Sequence, residues 1–198
     1  MGSQLIRLIT GGVKCYVVFR IQIFHSDFIV WKMYLNAISF YLAVSAASDF
    51  TIASCALAGY RLNENYDYPY FKRNLSQFWR SWHKTVSYWF RDYVYIPLGG
   101  NKHLYRNILI VFLLAALWYE ASPAGLLWAL WHILGLWILK FWQSFWEKVE
   151  GRHSGFLKNI QNFSRAYPKT TQCVSVLITF HYVILGWLPF FHLPLLSF

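Results

Sequence analysis

Residues 74–101 read NLSQFWRSWHKTVSYWFRDYVYIPLGGN, and this stretch decides how the chain must lie. Arg80, His83, Lys84, Arg91 and Asp92 rule out an ordinary membrane span. Each central Arg, Lys or Asp would cost roughly 2.5–3.5 kcal/mol in hydrocarbon. Phe78, Trp79, Trp82, Tyr88, Trp89, Phe90, Tyr93 and Tyr95 leave too little polar face for a helix in water. A segment at the membrane interface, or one lining a wet cavity inside a helical bundle, satisfies both demands. Pro97, Gly99 and Gly100 then close it with a turn.

The composition supports that setting. The 198 residues are 57% hydrophobic, 21% aromatic and only 13% charged, with 11 Trp and a mean hydropathy of +0.33. Soluble domains carry about 25% charged residues, so the expected class is an integral membrane protein. The formal net charge of +10 would ordinarily suggest nucleic acid. Here the cations flank apolar spans, which points to the anionic cytoplasmic leaflet and the positive-inside rule; no nucleic-acid partner is expected. Cys15, Cys55 and Cys173 have no disulfide-like or metal-like spacing, and each is expected to be a small buried thiol. No metal constellation is read. Arg7, Lys14 and Arg20 interrupt any signal-peptide core at the Met1 end.

The whole chain reads as one membrane domain, 1–198. Residues 4–24 carry Arg7, Lys14 and Arg20 at near-seven spacing, which places them on one side of a helix that is either interfacial or inserted. Membrane helices follow over 28–59. Asp49 sits among small residues there, as a helix N-cap or as a buried functional carboxylate. The amphipathic region runs over 60–105, and a helical hairpin over 106–146 turns at Ser122-Pro123. A polar cytoplasmic linker (147–170) leads to a last membrane helix at 171–191. The basic blocks on both sides of the hairpin fall on one face of the membrane, which the positive-inside rule makes cytoplasmic. The predicted fold is therefore an all-α, polytopic helical bundle in the cell membrane, with interfacial or re-entrant amphipathic helices.

FWRSWH followed by RDYVYIPLGGN resembles the signature of the membrane-bound O-acyltransferase family, in its alginate O-acetyltransferase branch. Tyr41, Ser48-Asp49 and the Gly186-Trp187 span look like further family features in the same order. Family members are longer, so the resemblance implies additional spans on both sides. It implies an acyl group, acetyl by preference, passing from acyl-CoA towards a hydroxyl of a cell-surface polysaccharide such as alginate or peptidoglycan. No bound cofactor is implied; acetyl-CoA enters as donor substrate. The implied partners are the lipid bilayer and an extracytoplasmic acetyltransferase or polysaccharide.

Acyl transfer to a hydroxyl needs a base, donors for the developing oxyanion and a path for both substrates. By resemblance, Trp82-His83 matches one family histidine. The other, taken as catalytic, lies in a Leu-Trp-His-Gly motif, where this chain has Leu117-Trp118-Tyr119-Glu120. Trp128-Ala129-Leu130-Trp131-His132 resembles a further Trp-Gly-x-x-His element. Tyrosine titrates near ~10 and is a poor base at neutral pH. Glu120 with a raised pKa, or His132 as a bundle histidine recruited to the task, could take its place. The candidate catalytic residues are thus His83, Tyr119, Glu120 and His132; the candidate substrate-binding residues are Trp79, Arg80, Trp82, Arg91, Asp92 and Trp118. A non-catalytic subunit that docks a partner acyltransferase is the alternative, and Tyr119 is its main support.

Overall fold

The computed structural model describes residues 2–23, 28–149 and 166–192. Every regular element among them is helical. In chain order these are α1 (Gly2–Ile23), α2 (Ile29–Leu57), α3 (Leu75–Ser81), α4 (Lys84–Phe90), α5 (Leu104–Tyr119), α6 (Pro123–Val149), α7 (Pro168–Gly186) and α8 (Leu188–His192). Short 3-10 turns at Pro69–Phe71 and Gly100–His103 and a π-helical turn at Arg91–Tyr95 punctuate the signature stretch. Among the described residues three segments are long and apolar enough to cross a membrane: Val30–Leu57, Pro123–Glu147 and Pro168–Phe190. Much of their apolar surface has no protein cover, as with Trp31, Leu134 and Ile178 at 62%, 51% and 65% exposed. Helices that are hydrophobic all round and still exposed are solvated by lipid, so the chain is an all-α integral membrane protein. Most of the expected 147–170 linker lies outside the described residues.

The chain divides into two compact units. The first comprises Met1–Asp67 and Ser81–Val86. In it α1 and α2 run antiparallel, held by charge. The Lys14 ammonium donates to Asp49 Oδ2 at 2.6 Å and to Ser45 Oγ at 2.7 Å, and Arg7 donates to Asp49 Oδ1 at 3.0 Å. Arg7 also bridges to Glu64 in the loop that follows α2. The seven-residue spacing is thus used to put two α1 cations on one α2 carboxylate. Between them Gly11 lets the helices close: a β-carbon there would stand 3.1 Å from the Phe50 ring. Asp49 is consequently a mid-helix ion-pair acceptor and caps no helix, which removes the N-cap reading.

The second unit comprises Tyr68–Arg80 and Ser87–Phe198. Here α5 and α6 form a hairpin whose turn is set locally. The Ser122 hydroxyl accepts from the Gly125 amide at 3.1 Å, capping α6, and Pro123 occupies its first turn. Helix α7 packs on α6 through Trp131 and Tyr182, whose rings stack at 4.6 Å and 19°. The thiols correct the sequence reading: Cys15 and Cys173 are exposed and Cys55 is half-buried. In a lipid-solvated helix an apolar neighbourhood in sequence places a residue in hydrocarbon as readily as in the protein core.

Candidate functional site

The signature stretch contributes to both units. Ser81–Val86 belongs with the first, and its neighbours on either side with the second. In the first unit, Trp82 is 2% exposed and packs against Phe40, Tyr41 and Tyr66 at centroid distances of 6.2, 5.8 and 5.5 Å. His83 follows at the corner between α3 and α4 with φ +42°, a left-handed conformation that costs a non-glycine residue about 1 kcal/mol or more. The loop before it holds that corner. The Asp67 amide donates to Ser81 O at 3.0 Å, and the Lys84 amide to Asn65 O at 2.8 Å. The Thr85 amide and hydroxyl both donate to Asn65 Oδ1, at 3.2 and 3.0 Å.

This network assigns the His83 tautomer. The Thr85 hydroxyl hydrogen is committed to Asn65, so Nδ1 of neutral His83, 3.4 Å from Thr85 Oγ1, is the donor of that pair. Nε2 is then the basic nitrogen. The ring also meets Tyr66 edge-on at 5.8 Å. Partial burial holds the His83 imidazole below its ordinary value, against a smaller raising effect from its own backbone carbonyl, so it is neutral at pH 7. Asn65, Tyr66 and Thr85 were not legible as site residues. A polar loop before an aromatic stretch reads as solvent-exposed unless its partner is known.

In the second unit, the RDYVYIPLGGN segment folds as a π-helical turn and then a tight turn, with Gly99 and Gly100 at φ +95° and +54°. Asn107, in the first turns of apolar α5, is fully buried and organises that turn. Its amide donates to Gly100 O at 2.8 Å and Leu98 O at 3.2 Å, and approaches Tyr95 O at 3.5 Å. Arg106 donates to Leu98 O at 2.6 Å. The signal for Asn107 was present but unread: a lone amide side chain inside an apolar helix needs a partner. Arg91 and Asp92 are both exposed and pair with each other at 2.6 Å, while the Arg91 guanidinium lies 4.7 Å over the Tyr88 ring. Arg80 is exposed and donates to Ser76 O at 3.2 Å.

An aromatic cluster surrounds His132 in the same unit. Trp79 and Trp128 meet its ring at 4.9 and 5.2 Å, and Phe112 at 6.2 Å. His132 is 0% exposed and neither ring nitrogen has a hydrogen-bond partner among the described residues. On its far side Gly186 brings the α7 backbone against the ring, where a β-carbon would stand 2.7 Å from Nε2.

The structure thus joins Trp79 to His132, and Trp82 to His83. Tyr119 ends α5 at 36% exposed and touches Trp118 and Trp128, at 4.8 and 5.8 Å. It is thus one ring removed from His132. Glu120 is exposed at the hairpin turn, its amide donating to Ala116 O at 2.8 Å. Trp118 is 58% exposed.

Comparison with known proteins gives the family. The chain is 33% identical over 154 residues to a Pseudomonas aeruginosa protein described as "probable alginate O-acetylase AlgI", covering 76% of this chain and 26% of the relative. It is 30% identical over 154 residues to the peptidoglycan O-acetyltransferase of Helicobacter pylori, covering 76% of this chain and 26% of that one. It is 25% identical over 201 residues to the teichoic acid D-alanyltransferase of Bacillus subtilis, covering 94% of this chain and 48% of that one. The chain therefore spans about a quarter of the length of the alginate relatives it matches. The family model for MBOAT, the membrane-bound O-acyltransferase family, matches residues 15–168, and the chain belongs to that family.

Proposed function

We propose that this chain forms part of a membrane O-acyltransferase that moves an acyl group, acetyl by preference, from acyl-CoA towards a hydroxyl of an extracytoplasmic polysaccharide. The observation that carries the reading is the Trp82-His83 corner within a chain of this family. There a neutral imidazole is fixed by Thr85 and Asn65, with Nε2 as its basic nitrogen. In the reaction the acceptor oxygen bonds to the thioester carbonyl carbon and the carbon–sulfur bond breaks. The hydroxyl proton passes to Nε2 and then to the departing thiolate. A base so placed contributes typically ~10²–10⁴-fold. A partner on the far side of the membrane would carry the acyl group onward to the polysaccharide.

One observation favours the second reading, a non-catalytic subunit. Tyr119, standing where the resemblance expects a histidine, is a phenol that cannot accept a proton near pH 7. Transfer of labelled acetyl from acetyl-CoA in membranes separates the readings. The comparison is among the native chain, His83→Gln, Tyr119→His and Glu120→Gln. Native activity lost in His83→Gln supports the enzyme. Activity appearing only in Tyr119→His supports the subunit. Loss in Glu120→Gln alone assigns the proton to the carboxylate.

A further inference from the structure

Four buried ring nitrogens lie together in the second unit without hydrogen-bond partners among the described residues. They are Nε1 of Trp79, Nε1 of Trp128, and Nδ1 and Nε2 of His132. The three rings are mutually adjacent: Trp79 to His132 at 4.9 Å, Trp128 to His132 at 5.2 Å and Trp79 to Trp128 at 5.5 Å. An unmatched buried donor is costly, and one such group in a native fold calls for an explanation. A cluster is not explained by chance packing. Edge-to-face N–H···π contacts between these rings offset only part of that cost. Two other indoles of the same unit have acceptors: Trp131 donates to Tyr182 O at 3.0 Å and Trp137 to Tyr105 O at 3.1 Å.

The chemistry of the set is specific. The two indoles are donors only, and neutral imidazole adds one donor and one acceptor. Such a group has most to offer a single oxygen that carries, or will carry, negative charge. Its surroundings are apolar: Phe112 lies 6.2 Å from His132, and the α7 backbone at Gly186 closes the ring's Nε2 side. In so dry a setting two neutral donors weigh more than they would in water. No exposed carboxylate or cation takes part, which separates this cluster from the Arg91–Asp92 and Lys14–Asp49 pairs.

We propose that Trp79, Trp128 and His132 bind the carbonyl oxygen of the acyl thioester, the two indole N–H groups donating to it. The inference rests on the acyl-transfer reading above and concerns the second unit by itself. As the acceptor oxygen bonds to the carbonyl carbon, the carbonyl π electrons move onto this oxygen. The donors hold that charge until the carbon–sulfur bond breaks and the carbonyl re-forms. His83 is not needed for this step, so the two assignments fail separately.

The test uses the full chain in detergent and three CoA probes. Acetonyl-CoA keeps the carbonyl but cannot transfer it, S-ethyl-CoA lacks the carbonyl, and labelled acetyl-CoA reports transfer. Trp79→Phe and Trp128→Phe keep a ring and remove one N–H each. Trp137→Phe is the control, since its indole is already satisfied outside the cluster. The native chain should bind acetonyl-CoA about tenfold more tightly than S-ethyl-CoA. That ratio should fall towards one in Trp79→Phe and Trp128→Phe and persist in Trp137→Phe. The transfer rate should fall on the order of 10²-fold in the two cluster variants, with the KM for the acceptor unchanged. In the native chain the stretch of a 13C-labelled carbonyl in bound acetonyl-CoA should lie below its value in free acetonyl-CoA in water, which needs no variant to fold. A ratio near one in the native chain, a ratio that survives both cluster variants, or an unshifted carbonyl overturns the site; each leaves the cluster a resident water only. Carbonyl discrimination without transfer would sink the acyl-transfer reading and keep the site. Native-rate transfer in both cluster variants would do the reverse.

Discussion

Trp131 and Tyr182 exchange hydrogen bonds across two apolar helices. The Trp131 indole donates to Tyr182 O at 3.0 Å, and the Tyr182 hydroxyl donates to Trp131 O at 2.6 Å. Each ring thereby satisfies its polar end on the other residue's backbone while the two faces stack. Apolar burial contributes little to helix association in lipid, so such closed pairs hold the helices together. Trp131 directly precedes His132 on α6, so the pair lies beside the aromatic cluster.

Tyr182→Phe should therefore destabilise the chain by about 0.5–1.5 kcal/mol, one hydrogen bond's worth with the stacking retained. Trp131→Phe should cost a similar amount. The double variant should cost less than the sum, because both bonds close one ring of contacts. Unfolding in detergent, run as a double-mutant cycle, reads all three; strict additivity would show that the two bonds act independently.

Glycine replacements should sort by what lies beyond them. At Gly186 a β-carbon would meet His132 Nε2 at 2.7 Å and Trp131 Cδ1 at 3.0 Å. Gly186→Ala should cost about 1–3 kcal/mol through overpacking. At Gly12 nothing lies within 4 Å and the residue is helical. Gly12→Ala should stabilise by about 0.5–1 kcal/mol from helix propensity alone. Thermal unfolding of the two variants side by side measures the contrast.

Asn107→Leu keeps the approximate volume and removes the amide that reaches Gly100, Leu98 and Tyr95 carbonyls. The expected result is a loosened signature turn with intact helices. Amide hydrogen exchange at Gly99 and Lys102, both now bonded to carbonyls of the same turn at 2.9 and 3.1 Å, should accelerate at least tenfold. An unchanged rate would mean that the glycines fix the turn without Asn107.

The depressed His83 pKa gives a signed pH effect. The unfolded chain takes up its proton near ~6.5, while the folded chain does so only at lower pH. Stability from this group is complete above ~6.5 and is lost as pH falls through that value towards the folded pKa. The basic form of Nε2 is present at neutral pH and disappears along the same acidic limb. Melting temperatures between pH 5 and 7 should therefore fall more steeply for the native chain than for His83→Gln. Equal slopes would place the acid sensitivity in another group.

Much of the architecture was legible because lipid imposes simple rules. Long apolar runs such as Val30–Leu57 have few alternatives to a helix, and the ordered motif FWRSWH…RDYVYIPLGGN gave the family. What stayed hidden was pairing at long sequence separation. Nothing near Lys14 announces Asp49, and nothing near Trp131 announces Tyr182; both pairs depend on which helices become neighbours. The exposed thiols show the converse limit. In water an apolar context means the core, whereas in a bilayer it does not separate the core from the lipid-facing side.

Cys15 on α1 and Cys173 on α7 consequently give the molecule a pair of native depth gauges. A sulfhydryl that meets water reacts with a charged, membrane-impermeant maleimide. One embedded among acyl chains yields only to a lipid-soluble reagent. Labelling intact and inverted vesicles with the two kinds of reagent would read the depth and sidedness of the first and last long helices without changing a single residue.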